Sequence, residues 1–322
     1  MQQFKPLVAV TIGAFALCAC STSSYQKPTS ELSAGISTAK AAFVTLSETE
    51  RTSFISSQVR VGLAAGNSIT ISENCGPLIL DRDGKPATKV DCTPILTKHG
   101  VDKPMTYDPA APNAVELATA VDDYGKALLK IAEAKDIADL KDASAKAAAA
   151  ATTLATTFGG PGIGAVAGAG LGIVNWLVGA YLDYQRFQDM RSIVNDADPS
   201  IEIAHSKLSA IAKLMQESVV TKRSVDIRFE TTALAHLRQS TTDRAKLQAA
   251  GEQLVSDALA LQAFANTDVA KPFAKMRKAH AELRESLNNP KVDPGAAFAA
   301  ISDFGKSVDA MNTAVKKLKT TK

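Results

Sequence analysis

Apolar residues returning every third or fourth position do most to limit the folds open to this chain. The pattern is cleanest near the end, at Ile301, Phe304, Val308, Met311, Val315 and Leu318, and it recurs in stretches back to Leu32. An α-helix brings such positions round to one side, so each stretch predicts a helix with a narrow apolar face. Leu32, Ile36, Ala39, Phe43 and Leu46 predict a first helix from Ser30 to about Gly66, weakened at its end by Gly62 and Gly66. Leu117, Val121, Tyr124, Leu128 and Ile131 predict another from Asn113, and Asp142 stands four before Lys146 for an outward ion pair. Asp198-Pro199 has the form of a helix start, a capping side chain followed by proline in the first turn, with Ile201, Ala204, Leu208, Ile211 and Met215 behind it. The pattern leaves open whether that helix passes Arg238 and Ser240. Leu247, Leu254 and Leu261 are spaced by sevens, and Phe273, Met276, His280, Leu283 and Leu287 resume the three-four spacing. Asn288-Asn289-Pro290 then breaks the chain, and Asp293-Pro294 starts the last helix. Long helices with narrow apolar stripes pack best on one another. The expected fold is mainly α, an elongated antiparallel helical bundle over residues 30–322.

Residues 68–112 depart from this pattern. Proline at 77, 86, 94, 104, 109 and 112 excludes a helix of any length. Ile69 and Ile71 alternate with polar residues, Leu78 to Leu80 is a short apolar run, and Asp83-Gly84 separates that run from Thr88 to Cys92. This reads as a β-hairpin. A Cys75–Cys92 disulfide would pin it, with a chain-entropy contribution of about 3 kcal/mol for a loop of that size.

Ala147 to Leu182 contains no charged residue. Ala147 to Phe158 is a helix-prone Ala/Thr run, and Gly159-Gly160-Pro161-Gly162 breaks it. A second run, Ile163 to Leu182, carries Gly164, Gly168 and Gly172 at four-residue spacing, with Trp176 beyond them. Glycine at every fourth position leaves a flat groove on one helix face, against which a second helix can pack closely. In water each such glycine costs about 1 kcal/mol relative to alanine, so a packing benefit is expected. About twenty residues at 1.5 Å could cross a hydrocarbon core of about 30 Å, whereas the first run gives only about 18 Å. Burial in the bundle or an oligomer interface, and insertion in a membrane, therefore both stay open. The segment is similar to the glycine zippers of bacterial envelope lipoproteins and channel proteins. A mid-chain apolar hairpin between long helices also resembles the layout of α-helical pore-forming cytolysins.

Residues 1–19 have the layout of a secretory signal: Lys5, an apolar stretch from Leu7 to Leu17, then small residues. The stretch is too short for a stable transmembrane helix. Leu17-Cys18-Ala19-Cys20 resembles the lipobox of bacterial lipoproteins. That resemblance implies cleavage before Cys20, a diacylglyceryl group on its thiol and an acylated amino terminus. Leu17 is too large to stand before the modified cysteine, which argues against Cys18. Ser21 implies, by the same resemblance, placement on the outer membrane, and a protein facing the periplasm is expected. Several acyl chains make such anchoring effectively permanent. Ser21 to Ser30, rich in Ser and Thr with Pro28, reads as an unstructured tether at 20–29.

Loss of Lys5 with the signal takes the formal net charge from +3 to +2, and Lys and Arg are scattered among Asp and Glu. No basic stripe marks a nucleic-acid binder, so no nucleic-acid partner is expected. His99, His205, His236 and His280 lie far apart without a second ligand at metal spacing, so no metal or cofactor is expected. His280 falls on an apolar stripe and reads as a hydrogen-bonded core histidine. Asp81-Arg82-Asp83-Gly84 is a turn lacking the remaining ligands of a calcium loop. Asp122 and Asp123 are adjacent on a helix and point apart, so they are no acid–base pair. No nucleophile elbow or phosphate loop occurs, and no enzymatic activity is expected. The lysines at 316, 317, 319 and 322 suit a helix C-terminus. A short murein lipoprotein is joined to peptidoglycan through its terminal lysine, and this chain is similar to it only in ending on Lys322.

The function expected is a lipid-anchored structural or interaction protein of the cell envelope. Its partner would be a second copy of the chain or another envelope protein. The alternative is a membrane-inserting or pore-forming helical protein that uses 163–182.

Overall fold

The computed structural model describes residues 23–71, 94–98, 100–107, 113–158, 178–289 and 294–320. Among them the chain is mainly helical, with seven helices and a small antiparallel sheet. In order these are α1 (Ser23–Ala64), β1 (Ser68–Ile71), β2 (Pro94–Lys98), β3 (Val101–Pro104), α2 (Ala114–Glu133), α3 (Ile137–Phe158), α4 (Val178–Ser240), α5 (Arg244–Ala265), α6 (Lys271–Asn288) and α7 (Gly295–Thr320).

The apolar stripes form the core. All five stripe residues of the first helix are buried, as are those of α2, of α6 and of α7. Phe43 of α1 meets Phe273 of α6 edge-on, with ring centroids 5.7 Å apart, the arrangement that ring quadrupoles favour. Cross-helix contacts give the directions. Asp122 meets Ser37 and Lys40 while Gly125 abuts Ile36 and Ser33, so α2 runs antiparallel to α1. Phe304 lies against Gly35 and Lys319 pairs with Glu48, so α7 runs parallel to α1. Asp198 meets Arg284 while Glu202 meets Arg277, so α6 opposes α4.

Residues 23–29 do not form the expected tether. They are the first turns of α1, held by Tyr25, whose buried ring lies 5.9 Å from Phe187 and whose hydroxyl donates to the Ser286 carbonyl at 3.1 Å. The polar composition is accommodated because Thr29 donates back to the Tyr25 carbonyl at 2.6 Å. At its other end α1 stops where Gly66 takes φ +76. Asn67 N–H then bonds Gly62 O, and Gly66 N–H bonds Leu63 O. These are the two bonds of a Schellman cap.

Pro199 does not start a helix either. It lies inside α4, which runs unbroken from Val178 to Ser240. An internal proline removes one helical hydrogen bond and costs about 3 kcal/mol. Met190, Ile193, Val194 and Ala197 before it, and Ile201, Ala204 and Leu208 after it, form one buried stripe. At about 1.5–3 kcal/mol for each large side chain, that burial outweighs the local signal. After Ser240 the chain turns, and Asp243 caps α5 by accepting from Lys246 N–H at 3.1 Å. The spacing between Leu261 and Phe273 hides a further break, at residues 266–270 between α5 and α6.

The sheet has the order β1-β2-β3, with Ile71 opposite Pro94 and Lys98 opposite Val101. It packs on the end of α1, where Leu96 covers Gly62 so closely that a methyl group there would stand 2.4 Å from Leu96 Cδ1. Gly62 therefore makes room for the sheet. The expected hairpin around Asp83-Gly84, and Cys75 and Cys92, lie outside the described residues.

Candidate functional site

The residues singled out in the sequence for attachment and packing, Cys20, Gly164, Gly168, Gly172 and Trp176, also lie outside the described residues. What the structure gives is where their flanks meet. Tyr25 packs on Phe187 and Thr29 touches Met190, while near the other end of α1 Arg60 pairs with Asp226 and Glu230. The two helices therefore run parallel, and Ser23 and Val178 begin at the same end of the bundle. Cys20 precedes Ser23 by three residues, a reach of at most about 11 Å. Trp176 precedes Val178 by two. No helix among the described residues is long and apolar enough to cross a membrane.

The opposite end of α4 leaves the body. Beyond Asp226 no residue of α4 is buried, and α5 buries none before Leu261. These portions of α4 and α5 form a two-helix arm. Leu234 and Leu237 of α4, with Leu247 and Leu254 of α5, are among its half-buried apolar positions. Val255 and Leu259 stand 58% and 59% exposed on α5. Of the leucines spaced by sevens, Leu247 and Leu254 thus belong to the arm, and Leu261 reaches the core. At its foot Gln216 of α4 donates to the carbonyls of Phe264 and Thr267, fixing the return of α5 to the body.

Titratable groups gather at several places inside the bundle among the described residues. Near Pro199, Tyr124 of α2 lies 2.9 Å from His280 Nε2 on α6, and His280 Nδ1 lies 3.3 Å from Asp198 Oδ1 on α4. The second contact is bent, so Nδ1 makes no well-aligned hydrogen bond. Asp198 is also paired with Arg284. The contact with His280, followed by the charges of Arg284 and Arg277, holds the Asp198 carboxyl below its ordinary value against the opposing effect of burial. Burial and the Asp198 charge push the Tyr124 hydroxyl up, so it stays protonated beside Nε2. The same interface carries a reciprocal amide pair, Asn195 with Asn288, joined by Arg191.

On α2, burial raises Asp122, but hydrogen bonds from Lys126, Ser37 and Lys40 outweigh it and hold the carboxyl below its ordinary value. Asp123 is exposed on another face.

A Tyr–His–Asp row resembles acid–base machinery only in composition. His280 is 2% exposed and Tyr124 1%, so neither meets a substrate unless helices separate. The row ties three helices together at the proline of α4. The spacing of His280 showed that it belonged to the core. Its partners, 156 positions away at Tyr124 and far off on α4 at Asp198, left no local signal. Among the described residues no three His, Cys, Asp or Glu side chains gather at ligand spacing. Set beside known proteins, the chain matches no protein-family model, no curated protein and no solved structure.

Proposed function

We propose that this is a lipid-anchored protein of the bacterial outer membrane, attached through Cys20, that holds a helical arm away from the bilayer to engage another envelope protein or a second copy of itself. One observation carries the reading: α1 begins three residues after Cys20 at the end where α4 also begins, and α4 then runs to the arm tip. Its 63 residues would extend about 95 Å if straight. An anchor at one end and a narrow two-helix arm at the other make a spacer, and the fold is accordingly elongated. The polar groups inside it serve packing, and no reaction is assigned to them.

Fractionation of the full-length protein beside a Cys20→Ala variant tests the anchor. The parent is expected in the outer-membrane fraction with fatty chains in its intact mass, and the variant in the soluble fraction. A parent without lipid, or a variant that stays bound, refutes the proposal. Crosslinking at the arm tip, from a cysteine placed at Thr241, then captures the partner.

We also place a disulfide between Cys75 and Cys92. Ile71 is paired with Pro94, so the excursion between them leaves and returns at one point of the sheet. Cys75 is four residues beyond the first and Cys92 two before the second. Thiol titration of the oxidised protein should find neither free.

The second reading keeps a specific support. Ile163 to Leu182 runs into the start of α4, beside the start of α1, so its end lies close to the proposed lipid attachment. Insertion of that segment predicts that Gly168→Leu abolishes liposome leakage with the fold intact. Collapse of the fold or oligomer assigns the glycines to packing.

A further inference from the structure

We propose that a cleft between α1, α4 and α7 binds a small oxyanion, a phosphate or carboxylate group. The cleft has a volume of about 470 Å³, and Glu48, Arg51, Thr52, Ile55, Arg223 and Lys319 line it. Three cations thus meet one carboxylate, and Lys319 already holds Glu48 at 3.1 Å. Arg51 has no ion pair among the described residues.

Arg223 Nε is buried and makes no hydrogen bond. The nearby Asp226 and Glu230 are both paired with Arg60, at 3.3 and 2.8 Å, and Asp226 acts on Arg223 through its charge without a hydrogen bond to Nε. Nε itself is sealed from solvent, so an anion in the cleft meets the charge of Arg223, which lines the cleft.

The donors on offer decide the ligand class. Thr52 turns its hydroxyl proton back to the Glu48 carbonyl. What remains for a ligand is two guanidinium groups and an ammonium. Guanidinium presents paired N–H donors matched to the two oxygens of a carboxylate or phosphate. Lys222, beside Arg223 and 5.4 Å from the Phe54 ring, adds to the positive field. No aromatic or extended apolar wall lines the cleft, so recognition rests on charge and weakens as salt rises.

The test is calorimetric titration of the full chain in detergent with pyrophosphate and, separately, citrate, at low and high salt. Arg51→Gln, Lys319→Gln and their double variant are compared with Lys213→Gln, on another exposed part of α4. Arg51 and Lys319 are exposed, so the variants keep the fold, which circular dichroism verifies. The expected result is saturable binding that is roughly tenfold weaker in each single variant, lost in the double variant and unchanged in Lys213→Gln. Binding of pyrophosphate alone assigns phosphate chemistry, and binding of citrate alone assigns carboxylate. No saturable heat with both anions, or affinities that ignore Arg51 and Lys319, overturns the proposal.

Discussion

The carboxylate of Asp198 lies 3.3 Å from Nδ1 of His280, across the interface of α4 and α6. Asp198 directly precedes the internal proline of α4. It has the sequence signature of a helix cap, yet it works as a bridge between helices. Tyr124 lies against Nε2 on the other side of the ring, so His280 is held between α2 and α4.

Asp198→Asn should lower stability at neutral pH by about 1.5–3 kcal/mol, the range for a hydrogen bond to a charged group, here the one that Arg284 donates. Because the folded carboxyl sits below its ordinary value, its contribution is full above the unfolded value of about 4 and is lost as pH falls through the folded value. Urea melts of parent and variant should therefore differ at pH 7 and converge in acid. A difference that persists unchanged at low pH would show that shape, not charge, explains the loss.

Asp226 should behave with the opposite sign. Burial raises its carboxyl, and Arg60, Ser56 and Arg223 only partly offset this. The ionised form is less favourable in the fold than in the unfolded chain, so its contribution to stability declines as pH rises through the raised value. Asp226→Asn removes that penalty and keeps an acceptor for Ser56, while Arg60 retains Glu230. The variant is expected to match the parent at pH 7 or exceed it by up to about 1 kcal/mol. A loss as large as that at Asp198 would contradict the assignment.

Glycine substitutions separate close approach from open surface. A methyl group at Gly35 would stand 2.8 Å from Cε1 of Phe304, a fully buried ring with no room to withdraw. Gly35→Ala should cost about 1–3 kcal/mol from overpacking, despite the better helix propensity of alanine. Gly251 and Gly305 have nothing within 4 Å of the same position. Alanine there should stabilise by about 0.5–1 kcal/mol. Thermal midpoints of the three variants give the comparison directly.

These sites differ in how far the sequence announced them. The stripe from Ile301 to Leu318 was legible because a single helix fixes it, and all six residues are buried. Tyr25 was not, since its anchoring depends on Phe187 and Ser286, far along the chain. Pro199 misled because a local signal of about 3 kcal/mol was read without the buried residues on both sides of it. Strands β2 and β3 were missed for a related reason. Pro94 and Pro104 excluded a helix, but at strand ends proline sacrifices little of the ladder. The cleft left almost no trace, because Arg51, Arg223 and Lys319 come from three helices that only the packed bundle brings together.

The arm yields a last prediction, about dynamics. A helix is held mainly by the apolar face it buries, and the arm has only a half-buried seam. From Ile227 to Ala260 no side chain is buried, whereas α2 buries twelve of its residues. Local opening should therefore be easiest at the turn around Thr241 and harder toward Gln216, where α5 is tied back to the body. Amide exchange followed by mass spectrometry should show protection rising from the tip to the foot of the arm, with α2 and the first half of α4 exchanging slowest. If the arm docks on a partner through Val255 and Leu259, binding should slow exchange on that face of α5 first. Uniform protection along α4 in the isolated protein would mean that the arm is already covered, most simply by a second copy.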